Sequence, residues 1–115
     1  MYTTFMIYIL VFEDKNYIKI GITGVGKNRI MQIERLWGRV DSRESCHSIV
    51  MGTVAFEVEN ALKIILSRYR VCESGEAGYT EIFSVKALSM AIHMLETYSQ
   101  ASLIKGINPN LSLNA

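Results

Sequence analysis

The front of the chain constrains the fold most. Residues 5–12, Phe-Met-Ile-Tyr-Ile-Leu-Val-Phe, carry no charge and are rich in aromatic and branched side chains. Four polar residues follow, Glu13-Asp14-Lys15-Asn16, and then the alternating run Tyr17-Ile18-Lys19-Ile20-Gly21-Ile22-Thr23. Two such runs around a short polar turn predict a β-hairpin, with strand one over 3–12 and strand two over 17–23. The first run is far short of the ~20 apolar residues a membrane span needs. It also lacks the basic start and small-residue cleavage site of a leader, so no membrane association is expected and a buried strand is the reading that remains.

Hydrophobic spacing then alternates between the two periods. Gly24-Val25-Gly26 ends strand two, and Asn28 is a candidate N-cap. Ile30, Ile33, Leu36 and Trp37 recur at helical spacing, predicting a helix over about 27–38 that Gly38 stops. Residues 39–45 read as a polar loop and 46–54 as a third strand. Ala55–Tyr69 reads as an amphipathic helix whose apolar stripe is Phe56, Val58, Leu62, Ile65, Leu66 and Tyr69. Residues 73–78 read as a loop, 81–85 as a short strand and 86–99 as a last helix. The predicted fold is α+β: a small antiparallel sheet, three strands plus a short extra one, flanked by helices in the order β-β-α-β-α-β-α. One domain is expected over 1–105, with a tail over 106–115.

Composition narrows the function classes. A chain of 115 residues, half of them hydrophobic, holds one core and is too apolar for disorder. Two cysteines do not make a disulfide scaffold and fit free thiols in a reducing cytoplasm. The net charge of +1 lacks the basic footprint of a nucleic-acid binder. Its distribution softens that objection. Residues 15–43 hold seven basic side chains, Lys15, Lys19, Lys27, Arg29, Arg35, Arg39 and Arg43, against two acidic ones, Glu34 and Asp41. Compensating acid sits at Glu57, Glu59, Glu73, Glu76 and Glu81.

Three groupings were weighed for chemistry. Cys46-His47 reads as a nucleophile or redox pair, or simply as a small hydrophobe beside a strand histidine. Gly21, Gly24 and Gly26 precede a helix, but their spacing fits no phosphate-binding fingerprint and a plain turn is the better reading. The third grouping is Tyr8, Lys19, Arg29 and Glu59. A phenol, an ammonium, a guanidinium and a carboxylate suit metal-assisted phosphodiester hydrolysis. The carboxylate takes a hard cation, the cations neutralise phosphate, and a phenol beside a lysine has its pKa lowered and activates water.

The order of these residues resembles the GIY-YIG nuclease superfamily, in its compact phage and bacterial branch. Met6-Ile7-Tyr8 stands for Gly-Ile-Tyr, and Lys19-Ile20-Gly21-Ile22-Thr23 for the branch's Lys-Ile-Gly-x-Thr. Arg29 falls at the family's helix arginine. Glu59, followed by Leu62-Lys63, matches the metal glutamate. Gly78-Tyr79-Thr80-Glu81-Ile82-Phe83-Ser84-Val85 is similar to the last motif strand. The similarity spans residues 6–86. It implies a Mg²⁺- or Mn²⁺-dependent DNA endonuclease. Tyr8 would position or deprotonate water, and Lys19 would lower its pKa or touch phosphate. Arg29 would stabilise the pentacovalent phosphate, and Glu59 would hold the metal. Thr23 and Glu81 would support the site, while Lys27, Arg35, Arg39 and Lys63 would contact substrate. The family's usual histidines are replaced by Ile33 and Lys63, and its tryptophan by Ile82. A nuclease-like fold that binds DNA or a host protein without cutting is the alternative. A domain this small is expected to dimerise or to rely on a targeting partner.

Overall fold

The computed structural model describes residues 4–24, 29–71, 81–98 and 103–106. The two apolar runs form the expected hairpin. Strand β1, Thr4–Val11, pairs antiparallel with β2, Tyr17–Gly24, so that Tyr8 faces Gly21 and Leu10 faces Lys19. The turn between them places Asp14 at φ 58°, a left-handed conformation that a short polar side chain tolerates.

Strand β3, Cys46–Met51, pairs with the other edge of β1 and sets His47 opposite Tyr8. Strand β4, Ile82–Ser84, adds to β2, and β5, Ile104–Lys105, adds to β3. The sheet therefore has five antiparallel strands in the order β4-β2-β1-β3-β5. β1 lies at its centre, as an uncharged run requires.

Side chains alternate between the two faces of the sheet, and each face has its own core. Helix α1, Arg29–Trp37, covers one face. There Met6, Tyr8, Leu10 and Phe12 pack with Ile30, Ile33 and Val40. Gly38, at φ 119°, ends this helix, and its N–H donates to the Glu34 carbonyl at 3.1 Å. The Glu34 carboxylate then accepts from the Val40 N–H at 2.8 Å, fixing the chain's exit. The opposite face is covered by α2, Gly52–Ile65, and α3, Leu88–Tyr98. Ile7, Ile9, Ile18, Ile20 and Phe83 of the sheet pack there against Ala55, Val58, Leu62, Leu66, Ala91 and Leu95.

The element order matches the expected α+β class, with differences at the margins. Helix α2 begins at Gly52 and not at residue 55, because the helix continues directly from β3. Its buried stripe is Ala55, Val58, Glu59 and Leu62, followed by Leu66 in the turn beyond it. Phe56 and Ile65, expected in the stripe, are exposed: Phe56 lies more than a quarter-turn off that line, and Ile65 sits at its edge in the last turn of the helix. Phe56 instead meets Phe5 edge-on, with ring centroids 5.1 Å apart. A 3₁₀ turn over Ser67–Tyr69 ends the helical stretch, and another over Val85–Ala87 opens the last helix. The fifth strand was not expected, because two residues carry no readable alternation.

The apolar start proves to be the central strand. No helix among the described residues is long and apolar enough to cross a membrane. Asn28, Cys72, the loop over 73–78 and the tail beyond Gly106 lie outside the described residues.

Candidate active site

Two strands, two helices and the residue just ahead of β4 contribute to a single polar cluster. Tyr8 on β1 and Lys19 on β2 project to the α1 side of the sheet, and each is 1% exposed. They share that face because Tyr8 pairs with Gly21 and Leu10 with Lys19, so even positions of β1 and odd positions of β2 point the same way. The Lys19 Nζ lies 5.9 Å from the centre of the Tyr8 ring. A buried ammonium needs a counter-ion, and Lys19 donates to the Glu81 carboxylate just ahead of β4.

Gly21 fits the space that the phenol leaves. A Cβ there would lie 2.7 Å from the Tyr8 Cζ, closer than carbon atoms approach without displacement. The Ile-Gly of the second motif thus has a steric reason: the phenol rests on bare backbone.

Arg29, exposed in the first turn of α1, acts on the Tyr8 phenol as a charge and a hydrogen-bond partner. Burial and the Glu81 carboxylate outweigh it, and the phenol is held well above its ordinary pKa. This corrects the expectation of a phenol acidified by its lysine: desolvation dominates, and the lysine's charge is already taken up by Glu81. Lys19 itself is pushed down by burial, with Glu81 opposing the shift.

Glu59 is buried on α2, with its Oε1 3.7 Å from the Lys63 Nζ one turn later. Burial first, and the Glu81 charge second, push its carboxyl above the ordinary range, while Lys63 and Lys19 pull it down. Glu59 also contributes to the field at Tyr8. Tyr8, Lys19, Arg29, Glu59 and Glu81 are therefore one electrostatically linked group.

Among the described residues no three His, Cys, Asp or Glu side chains converge as a metal-binding set. The donor chemistry nevertheless fits a hard cation. Mg²⁺ takes one or two carboxylates and completes its shell with water and substrate phosphate. Glu59 is a carboxylate whose negative charge is under-compensated, beside a second carboxylate, which is the environment such an ion relieves.

The other expected residues are placed as follows. Thr23 is buried on the same face, its hydroxyl 3.5 Å from the Gly24 carbonyl oxygen. Arg35 and Arg39 are exposed, and Arg39 lies 3.7 Å from Glu13. Lys63 lies against Glu59, and Lys27 falls outside the described residues. Cys46 and His47 point to opposite faces of β3 and form no pair. The Cys46 thiol is buried and pushed up to about 11 by that burial, which makes it a poor nucleophile. His47 Nδ1 lies 3.2 Å from the Gly106 carbonyl oxygen, and burial pushes its pKa down.

Sequence reasoning did not single out Ser67 and Arg70. With Lys63 and Ile64 they line a groove of about 490 Å³ at the end of α2. The four-residue spacing of Glu59, Lys63 and Ser67 is the sequence signal that leads to them.

A family model described as the T5orf172 domain matches residues 6–99. No curated protein and no solved structure matches the chain.

Proposed function

The chain belongs to the T5orf172 domain family, and from that premise and its polar cluster we propose a divalent-metal-dependent DNA endonuclease of the GIY-YIG type. The family is phage-associated and related to nuclease-like folds, which supports a nuclease-like or DNA-binding role. The observation that carries the reading is the joining of Tyr8, Lys19, Arg29 and Glu59 into one group, although they come from four separate elements. Burying ionisable groups on an otherwise apolar sheet costs stability, and clusters of such perturbed groups concentrate at functional sites.

Each side chain has a role in phosphodiester hydrolysis. Water attacks phosphorus, the bond to one ester oxygen breaks, and that oxygen leaves with a proton. Tyr8, held neutral, orients the attacking water and does not deprotonate it. Arg29, exposed at the mouth of the cluster, neutralises charge on the pentacovalent phosphate. Lys19, enclosed and paired with Glu81, holds the cluster together beneath Tyr8 and does not itself meet the phosphate. Glu59 is the residue that would hold Mg²⁺ or Mn²⁺. The chemistry such an ion supplies when bound is polarisation of a phosphate oxygen and acidification of water.

The test is a cleavage screen over supercoiled, linear and branched DNA with Mg²⁺ and Mn²⁺. Wild-type protein is expected to nick or cut, and Glu59→Ala and Arg29→Ala to lose at least about 10²-fold in rate, the scale of one transition-state charge contact, while melting like folded proteins. Cleavage that persists in both variants sinks the assignment. A second reading, a nuclease-like fold that binds DNA or a host protein without cutting, draws on the phenol that burial keeps neutral and on Lys63 lying against Glu59. Absence of cleavage, with binding unaffected by Glu59→Ala, favours that reading.

A further inference from the structure

We propose that the groove at the end of α2 is a phosphate subsite that holds the nucleic-acid backbone beside the scissile bond, through Lys63, Ser67 and Arg70. The proposal rests on the nucleic-acid reading above and extends it to residues outside the polar cluster.

The groove starts where the cluster ends. Lys63 is both a wall of the groove and the ion-pair partner of Glu59. Glu59, Lys63 and Ser67 recur every fourth residue: Lys63 lies about 6 Å along the α2 axis from Glu59, and Ser67 stands in the 3₁₀ turn just beyond the helix. A strand whose scissile phosphate sits at Glu59 and that runs on past Lys63 brings its neighbouring phosphates to this groove.

The donors have the right chemistry, and the backbone that carries Arg70 is anchored. A guanidinium matches phosphate oxygens bidentately, an ammonium binds as a point charge, and a hydroxyl adds a neutral donor. Arg70 bridges to Phe83 of β4, and the next N–H, that of Val71, donates to the Ile82 carbonyl at 3.2 Å. The backbone of Arg70 is thus tied to the strand that follows Glu81, with its side chain exposed. No acidic side chain among the described residues pairs with Arg70. Ile64, 73% exposed, gives the groove an apolar wall suited to a sugar or base face.

Basic groups at a helix C-terminus also offset the helix dipole, so a charge control is needed. Arg68 provides one. It is close in sequence and exposed, but its guanidinium lies over the Tyr69 ring at 4.9 Å and donates to the Tyr69 hydroxyl at 3.1 Å, and it does not line the groove.

The experiment is fluorescence anisotropy with labelled single-stranded and duplex DNA, in EDTA so that no cutting occurs, across 50–200 mM salt. Lys63→Ala and Arg70→Ala are each expected to flatten the slope of log K against log salt by about one, the signature of one lost phosphate contact. Arg68→Ala is expected to change it by less than half as much, and Arg70→Lys to keep the wild-type slope. Thermal melts check that each variant is folded. Unchanged slopes in both groove variants, or an equal effect of Arg68→Ala, overturn the subsite while leaving the nucleic-acid reading intact. An acidic peptide is then the ligand to try. Wild-type protein that binds no DNA overturns both. Slope changes without any cleavage support the groove and count against the endonuclease reading alone.

Discussion

Gly21 fixes the height of the Tyr8 phenol. Its missing Cβ is what lets the ring lie flat on β2, and the ring is buried on every other side. Gly21→Ala is expected to destabilise by about 1–3 kcal/mol, the range for overpacking a filled core, and to move the phenol away from Arg29. Thermal melts give the first effect, and loss of cleavage beyond the loss of folded protein gives the second. Lys19 and Glu81 test a different force. Lys19 is wholly enclosed, so Glu81→Ala leaves an uncompensated ammonium and is expected to destabilise by about 3 kcal/mol. Lys19→Met leaves only the Glu81 carboxylate, which is partly exposed and can be hydrated, and is expected to destabilise less than Glu81→Ala. Denaturant midpoints that rank the two variants the other way would show that the pair does not hold the site together.

At the scale of elements, α2 carries both a core stripe and the carboxylate. Leu62 is fully buried against the sheet, whereas Phe56 is about half exposed. Leu62→Ala is expected to destabilise by about 2–5 kcal/mol. Phe56→Ala is expected to fall below that range, since only its edge contact with Phe5 is lost; chemical denaturation separates the two. This distinction was not legible in the sequence. Phe56 and Ile65 are as hydrophobic as Val58 and Leu62, and only the angle at which α2 meets the sheet decides which of them is inside. The hairpin was legible because β1 at the sheet's centre admits no charged side chain. Gly38 was legible because a left-handed residue after a helix favours glycine. The edge strand β5 was not, because two residues are too short for alternation. In the cluster, Tyr8, Lys19, Arg29 and Glu59 could be picked out by residue type and order. What stayed hidden was the sign of the phenol's shift, since the burial that sets it depends on how α1 and the sheet close over Tyr8.

Over the whole molecule, the cluster couples stability to pH and to cations. Glu59 binds its proton more tightly in the folded chain than in the unfolded one, because burial and Glu81 disfavour its charge. Stability therefore falls as pH rises from the ordinary carboxylate range through the raised value, and stays lower above it. Glu59→Gln removes that linkage. It is expected to be more stable than wild type at neutral pH by about 0.5–2 kcal/mol, as charge removal from a functional site commonly is, with the gap closing as pH falls below the ordinary carboxylate range. A cation stabilises the fold through the same group, as the proton does, by relieving its charge. An ion that binds only the folded chain at a hundredfold excess over its dissociation constant stabilises by about 2.7 kcal/mol. Mg²⁺ is therefore expected to raise the melting temperature of wild type and not of Glu59→Gln. The rise is expected to fade on acidification, because proton and cation compete for one carboxylate. A grid of melts over pH and Mg²⁺ concentration reads both effects at once. An equal Mg²⁺ shift in Glu59→Gln would place the cation elsewhere, and a shift indifferent to pH would mean that it does not meet Glu59 in its ionised form.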